Sequence, residues 1–387
     1  MKNLFYIFLF TFLLLGIVDI IISKIKPQFE ITHYIYDHGF NTNKEKFQSW
    51  GKEQVKVFSN NLGFKGPENQ KIDLKKGDKK RIVFIGDSFT EGIGMKYEES
   101  FVGVFDNLNK NKYEVINMGV ASYAPSAYFK KLEYWINSGL EIDEVIVLPD
   151  LSDIEDEIFH YRDNLNILTK RESLSSLPFA VNEITPLINK QKITKELIEE
   201  YKEIRGSEWL EQFDLKSNEV KLFQWLKSKL TYSFIYRKIN YLIHFNALKK
   251  AHEAANKNIL YKPENNVRGL YLVDKNTFYR RSAKTGLLKM AVKLNQLKVL
   301  LDKNNIKMKL GIYPWPSEFI YSNDYSIWRN FWTEFSKFHE LQIFDTYTIF
   351  NEKINNNHQL KQYFIPGDFH FNPDGNKLIG EFIFKNY

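Results

Sequence analysis

Apolar and polar positions alternate along this chain in blocks that read as strands and helices in turn. Three short apolar runs, Arg81–Ile85, Tyr113–Asn117 and Glu144–Leu148, have the length and β-branched content of buried strands. Helix-length segments separate them. In the second separator Pro125 suits a first helical turn, Tyr128, Leu132 and Trp135 recur on one face, and Gly139 ends the pattern. The pattern resumes after residue 280. Leu287, Met290, Leu294, Leu297 and Leu301 form an apolar stripe that leaves Lys289, Lys293 and Lys298 on the other side. Lys307 to Tyr313 is the next strand, Leu341–Phe344 predicts a fifth, and a closing helix follows Pro373. Strands alternating with helices predict an α/β protein with a central parallel sheet of about five strands and helices on both faces.

Three stretches fall outside that rhythm. Leu4 to Ile22 is almost unbroken apolar sequence, close to the ~20 residues that cross a bilayer, and it runs into Ser23 and Lys24 without the small residues of a cleavage site. Residues 1–26 are therefore expected to be an uncleaved membrane anchor, with Asp19 near its end pairing with Lys24 or Lys26. Residues 27–79, rich in polar and turn residues such as "SNNLGFKGPENQ", predict an extended arm. Residues 155–280 are too long for a connection and predict a helical insertion forming a cap or substrate-facing subdomain. It divides the α/β domain into 80–154 and 281–387.

Composition narrows the function classes. The 54 basic and 47 acidic residues leave a net charge of +7 spread along helices, which argues for anionic surroundings and against nucleic acid. Cysteine is absent, so thiol catalysis and Cys-ligated zinc are excluded. Gly92 and Gly94 are too little for a phosphate loop, and the acids Asp150, Asp153, Glu155, Asp156 and Glu157 lack the spacing of a calcium loop and read as a solvated helix start. No cofactor and no metal is expected.

The chemistry-bearing residues lie at the strand ends. "RIVFIGDSFTEGIG" stops a strand at Gly86 and puts Ser88 at the sheet edge where open α/β sheets bind ligands. Alone, Ser88 reads equally well as a helix cap. "YFIPGDFHFNPDGNKLIG" places Asp368 and His370 two apart in a loop before the last helix, so one loop can bring a base and its orienting carboxylate to the same edge. Asp87 reads as a structural acid that satisfies turn amides. Trp315, between two prolines after the fourth strand, would sit near that edge, where an indole either stacks on a sugar or packs in the core.

At these residues the sequence resembles the SGNH, or GDSL-type, hydrolase superfamily. "GDSFTEGIG" is similar to its nucleophile block, "VINMGVAS" to its second block and "GDFHFNPDGN" to its Asp-His block. The resemblance implies a three-layer flavodoxin-like fold, with Ser88 as nucleophile, Asp368 and His370 completing the triad, and the amides of Ser88 and Gly119 as oxyanion donors. The third block departs from the family, reading "VIVLPDLSDIEDE" where an Asn is usual, with Ser152 as the nearest counterpart. Two readings stay open. One is an anchored, extracytoplasmic serine esterase or O-acyltransferase acting on acyl groups of an envelope glycan, resembling glycan O-acetyltransferase components and deacetylases. Were it a transferase, a multi-span acyl-donor partner would be implied. The other is a glycan-binding or assembly protein that keeps the fold without the chemistry.

Overall fold

The computed structural model describes residues 42–49, 54–110, 112–159, 281–321, 327–365 and 368–387, together with Phe40, positions between 6 and 21, and Ser233, Ile235 and Ile239. Its centre is an eight-stranded sheet of β1 (Glu45–Ser49), β2 (Gln54–Ser59), β3 (Lys65–Gly66), β4 (Lys80–Gly86), β5 (Tyr113–Asn117), β6 (Glu144–Leu148), β7 (Lys307–Ile312) and β8 (Gln342–Asp345). The spatial order is β1-β2-β3-β5-β4-β6-β7-β8. Strands β4 to β8 pair in parallel, in the order second-first-third-fourth-fifth of a flavodoxin-like sheet. In such a sheet the connections leave in opposite directions from β4, which opens a crevice beyond the carboxyl ends of β4 and β6.

Helices cover the parallel strands. They are α1 (Ser88–Glu91), α2 (Phe101–Leu108), α3 (Pro125–Asn137), α4 (Asp153–Phe159), α5 (Arg281–Lys303), α6 (Pro316–Tyr321), α7 (Ile327–Phe338), α8 (Tyr347–Lys353) and α9 (Pro373–Asn386). Helix α9 packs on α2, while α5 packs on α3 and α4. Ile82, Val83, Phe84 and Ile85 of β4 and Val145, Ile146 and Val147 of β6 are wholly buried, as continuous apolar strands covered on both sides should be.

Three expectations are corrected. The 27–79 segment is not a free arm over its described length, because β1, β2 and β3 extend the sheet antiparallel from the β5 edge. These edge strands leave Phe47 half-exposed and carry many polar residues, so their composition resembles a loop. Lys65 of β3 is buried, and its Nζ donates to the carbonyls of Gly92 at 2.6 Å and Met95 at 2.8 Å. The segment thus braces the turn that follows α1. Lys289 and Lys293 do not face water but are buried, Lys289 donating to the Glu157 carbonyl. The acids after β6 are not a solvated helix start either, since Asp150, Asp153, Glu155, Asp156 and Glu157 are all buried.

Among the described residues no helix is long and apolar enough to cross a membrane. The described positions between 6 and 21 are helical, and the remainder of the expected anchor lies outside the described residues. So does the expected insertion from residue 160 to 280, apart from three positions.

Candidate active site

Strand β4 ends at Gly86, where an added Cβ would lie 2.1 Å from Thr90 Oγ1 and 2.8 Å from the Leu148 carbonyl. Only glycine lets the chain turn there into α1 against β6. Asp87 caps α1, its carboxylate accepting from the Phe89 amide at 3.0 Å, and Ser88 takes the first helical position. The turn points Ser88 Oγ at the loop before α9. Asn372 caps α9 by accepting from the Gly375 amide, and Pro373 opens the helix, which holds the preceding Asp368–Phe371 stretch against α1.

The two loops meet. His370 Nε2 lies 2.8 Å from Ser88 Oγ across 282 positions of sequence, and His370 Nδ1 lies 2.6 Å from Asp368 Oδ1. The His370 amide also donates to Asp368 Oδ1, at 2.9 Å. The imidazole lies stacked on Phe89 at 4.6 Å, with Phe369 4.4 Å away, and is 4% exposed. That packing fixes the ring plane and excludes water from it. Burial pushes the Asp368 carboxyl up, but the charge and hydrogen bonds of His370 and the Phe369 amide outweigh it and bring its pKa to about 2. Asp368 is therefore an anion that holds Nδ1 as a donor and turns Nε2 to the Ser88 hydroxyl.

The other expected residues are placed differently. The Gly119 amide donates to Asn117 Oδ1 at 2.9 Å and so faces into its own turn. A Cβ at Gly119 would come within 2.5 Å of the Glu91 amide, so the glycine lets the loop after β5 approach α1. In the same turn Ser122 has φ 62 and is exposed, a strained conformation of the kind that collects at active sites. Ser152 does reach the site, but its hydroxyl donates to Asp150 Oδ1 at 2.6 Å, with Asp87 Oδ2 at 3.4 Å. Trp315 is fully buried, lies flat on Phe369 at 4.3 Å, and donates its indole N–H to Asp150 Oδ2 at 2.8 Å. It has no face left for a sugar, which corrects the stacking alternative.

The sequence did not reveal an acid cluster beneath the nucleophile. Asp87, Asp150 and Asp153 are buried, with carboxylate oxygens within 4.8 Å of one another. Protein donors or hydroxyls from Ser88, Phe89, Ser152, Trp315, Tyr128 and the Asp150 amide already engage five of the six oxygens. That donor set fits shared protons better than a cation. Burial and then the charge of Asp150 push Asp87 well above the carboxylate range, and burial with the charges of Asp87 and Asp150 does the same to Asp153. The only advance sign was the unusual acid content of the third block.

No protein-family model and no curated protein sequence matches this chain. Solved structures similar to it include a protein from Desulfitobacterium hafniense described as lipolytic and of the G-D-S-L family. It is 12% identical, with 80% of this chain and 100% of that one covered and a TM-score of 0.39. A GDSL-like lipase from Bacteroides thetaiotaomicron is 9% identical over 81% of this chain and 89% of its own, with a TM-score of 0.35. An acetylxylan esterase from Geobacillus stearothermophilus, in a catalytic-mutant form, is 9% identical over 81% of this chain and 95% of its own, with a TM-score of 0.36. The first two carry the name of the family whose motifs the sequence resembles. Likeness at this level carries no argument of its own, and the case for chemistry rests on the side chains.

Proposed function

We propose that this chain is a serine esterase of the SGNH type, acting through an acyl-Ser88 intermediate. The observation that carries the proposal is the unbroken hydrogen-bonded series from Ser88 Oγ through His370 to Asp368. Ser88 attacks the ester carbonyl as His370 Nε2 takes its proton. Asp368 stabilises the imidazolium, and His370 then returns the proton to the departing alcohol. Water, or a sugar hydroxyl, attacks the acyl-enzyme with His370 again as base, giving hydrolysis or transfer. The developing oxyanion has the Ser88 amide as its donor, at the first position of α1 where helix N–H groups have no intrahelical acceptor.

For the natural substrate we propose an envelope glycan met at a membrane and carrying acyl groups, acetyl by the family resemblance. The apolar stretch Leu4–Ile22 supports that placement, with the catalytic body outside the cytoplasm. A multi-span acyl donor is the partner that the transfer outcome requires. A second reading has its own support: the Gly119 amide and the Ser152 hydroxyl are both committed elsewhere, as in a protein that binds a glycan without turning it over.

Turnover of a small acetyl ester separates the two. Ser88→Ala and His370→Ala each lower kcat/KM by about 10³–10⁴-fold if the triad works. A covalent serine probe then labels the folded wild-type chain at Ser88. Absence of both turnover and labelling would leave the binding reading.

A further inference from the structure

The oxygen that is to attack has two neighbours, and it has one proton. Ser88 Oγ is 2.8 Å from His370 Nε2 and 2.9 Å from Asp87 Oδ2, while the side chain of Asp87 is itself wholly buried. An O···O separation of 2.9 Å admits the proton on either oxygen, so a count of protons decides the arrangement.

The count closes from the outside inward. Asp150 Oδ2 accepts the Trp315 indole N–H, and its Oδ1 accepts the Ser152 amide at 2.8 Å, two donors that cannot reverse. Both oxygens of Asp150 are thereby engaged as acceptors. The Ser152 hydroxyl proton goes to the same Oδ1 at 2.6 Å and not to Asp87 Oδ2 at 3.4 Å. Asp87 Oδ1 takes the Phe89 amide at 3.0 Å, with the Tyr313 hydroxyl donating to the same oxygen at 3.5 Å. On the other side, Asp368 holds the Nδ1 proton of His370, and in the esterase reading His370 is the base, so Nε2 accepts the proton of Ser88. Ser88 Oγ and Asp87 Oδ2 are then left facing each other with no hydrogen between them. Their contact is repulsive unless Asp87 brings its own.

Resting on the esterase reading, we infer that Asp87 stands as the neutral carboxylic acid and donates from Oδ2 to Ser88 Oγ, a positioning residue that keeps the serine proton turned toward His370. Burial and the adjacent Asp150 charge favour the protonated form. The charged and titratable groups facing Asp87 are Asp150 after β6, Asp153 and Asp156 from α4, Tyr128 from α3, Tyr313 after β7, and His370 through Ser88. The acids among them oppose a charge on Asp87.

The proton on Asp87 is held and not spent. In acylation the Ser88 Oγ–carbon bond forms as the Ser88 proton passes to His370 Nε2, while Asp87 still donates to a lone pair of Oγ. In deacylation the Oγ–carbon bond breaks, His370 returns its proton to Oγ, and the Asp87 hydrogen bond eases the departure of that oxygen. Ionised Asp87 would instead draw the serine proton to itself and leave His370 without one to take. Activity therefore ends on the alkaline side when Asp87 ionises.

Two measurements on the full chain test this. With carboxyl-labelled aspartate, infrared difference spectra at neutral pH should show a protonated-carboxyl band in the wild type that Asp87→Asn removes. In the pH profile of kcat/KM for a small acetyl ester, the wild type should show an alkaline limb that Asp87→Asn abolishes. That variant keeps an N–H donor for Oγ and should fall less than about tenfold, against about 10²-fold for Asp87→Ala. Should Asp87→Ala not fold, the wild type and Asp87→Asn alone decide. An unchanged infrared spectrum in Asp87→Asn overturns the inference, as does an alkaline limb that survives the substitution. If the chain hydrolyses no ester, the esterase reading fails while the infrared band still reports whether Asp87 carries its proton.

Discussion

The same parallel strands handle buried charge in opposite ways at their two ends. At the amino ends of β4, β6 and β7, Glu144 receives Lys80 at 2.7 Å and Lys309 at 3.1 Å, and the Tyr387 hydroxyl as well. Beside them Arg81, fully buried, pairs with Glu114 at 2.8 Å and donates to the carbonyls of Asp73, Leu74 and Glu141. At the carboxyl ends of those strands lie Asp87, Asp150 and Asp153, where hydroxyls, amides and an indole stand in place of lysines and arginines. One end neutralises its charges with partners. The other holds its acids with neutral hydrogen-bond donors, and burial there favours protons on Asp87 and Asp153.

The largest effect that would sharpen this contrast is at the paired end. Glu144→Ala leaves Lys309, itself 3% exposed, without its carboxylate. Removing one member of a buried pair strands the other charge, so the variant should lose about 3–5 kcal/mol in urea unfolding. A loss under about 1 kcal/mol would mean that water, not pairing, satisfies the amino ends, and the contrast would dissolve.

How much of this was legible in the sequence follows the same division. Apolar runs buried on both faces stand out, so all five parallel strands were legible from the pattern alone. The edge strands β1 to β3 were not, because a strand with one wet face and a two-residue partner carries little periodicity. Ser88, Asp368 and His370 announced themselves by residue type at strand and helix ends. Gly119 and Ser152 were placed at the right loops, yet where an amide or a hydroxyl aims depends on its neighbours, here Asn117 and Asp150. The acid cluster was invisible for a further reason: Asp87 and Asp150 lie on separate loops, and only the pairing of β4 with β6 brings them together.

A middle-sized effect lies in the Asp368–His370 pair, where a carboxylate at the reactive end is held by an imidazole. Its folded pKa, about 2 against an ordinary 3.8, is depressed. The pair therefore adds stability at pH above about 4, on the order of 2 kcal/mol, and loses it as pH falls toward 2. Urea unfolding of the wild type and His370→Ala across that range should show the two curves converging at the acid end. Parallel curves would mean that the imidazole does not hold Asp368 ionised.

The smallest effect has the opposite sign. Asp153 is wholly buried; its Oδ2 accepts from Tyr128 at 2.8 Å and from the Asp150 amide at 3.0 Å, while Oδ1 has no partner among the described residues. Burial, then the neighbouring acids Asp87 and Asp150, raise its folded pKa. A raised carboxyl contributes stability below the unfolded pKa that is lost as pH climbs toward the folded one. Asp153→Asn keeps an oxygen for Tyr128 and the Asp150 amide and removes the titration. It should therefore stabilise the fold by about 1 kcal/mol or more at pH 8, with the gain fading toward pH 4. A variant less stable than the wild type at both pH values would show that Asp153 is satisfied as it stands, and that the carboxyl ends of the strands carry no unrelieved charge at that position.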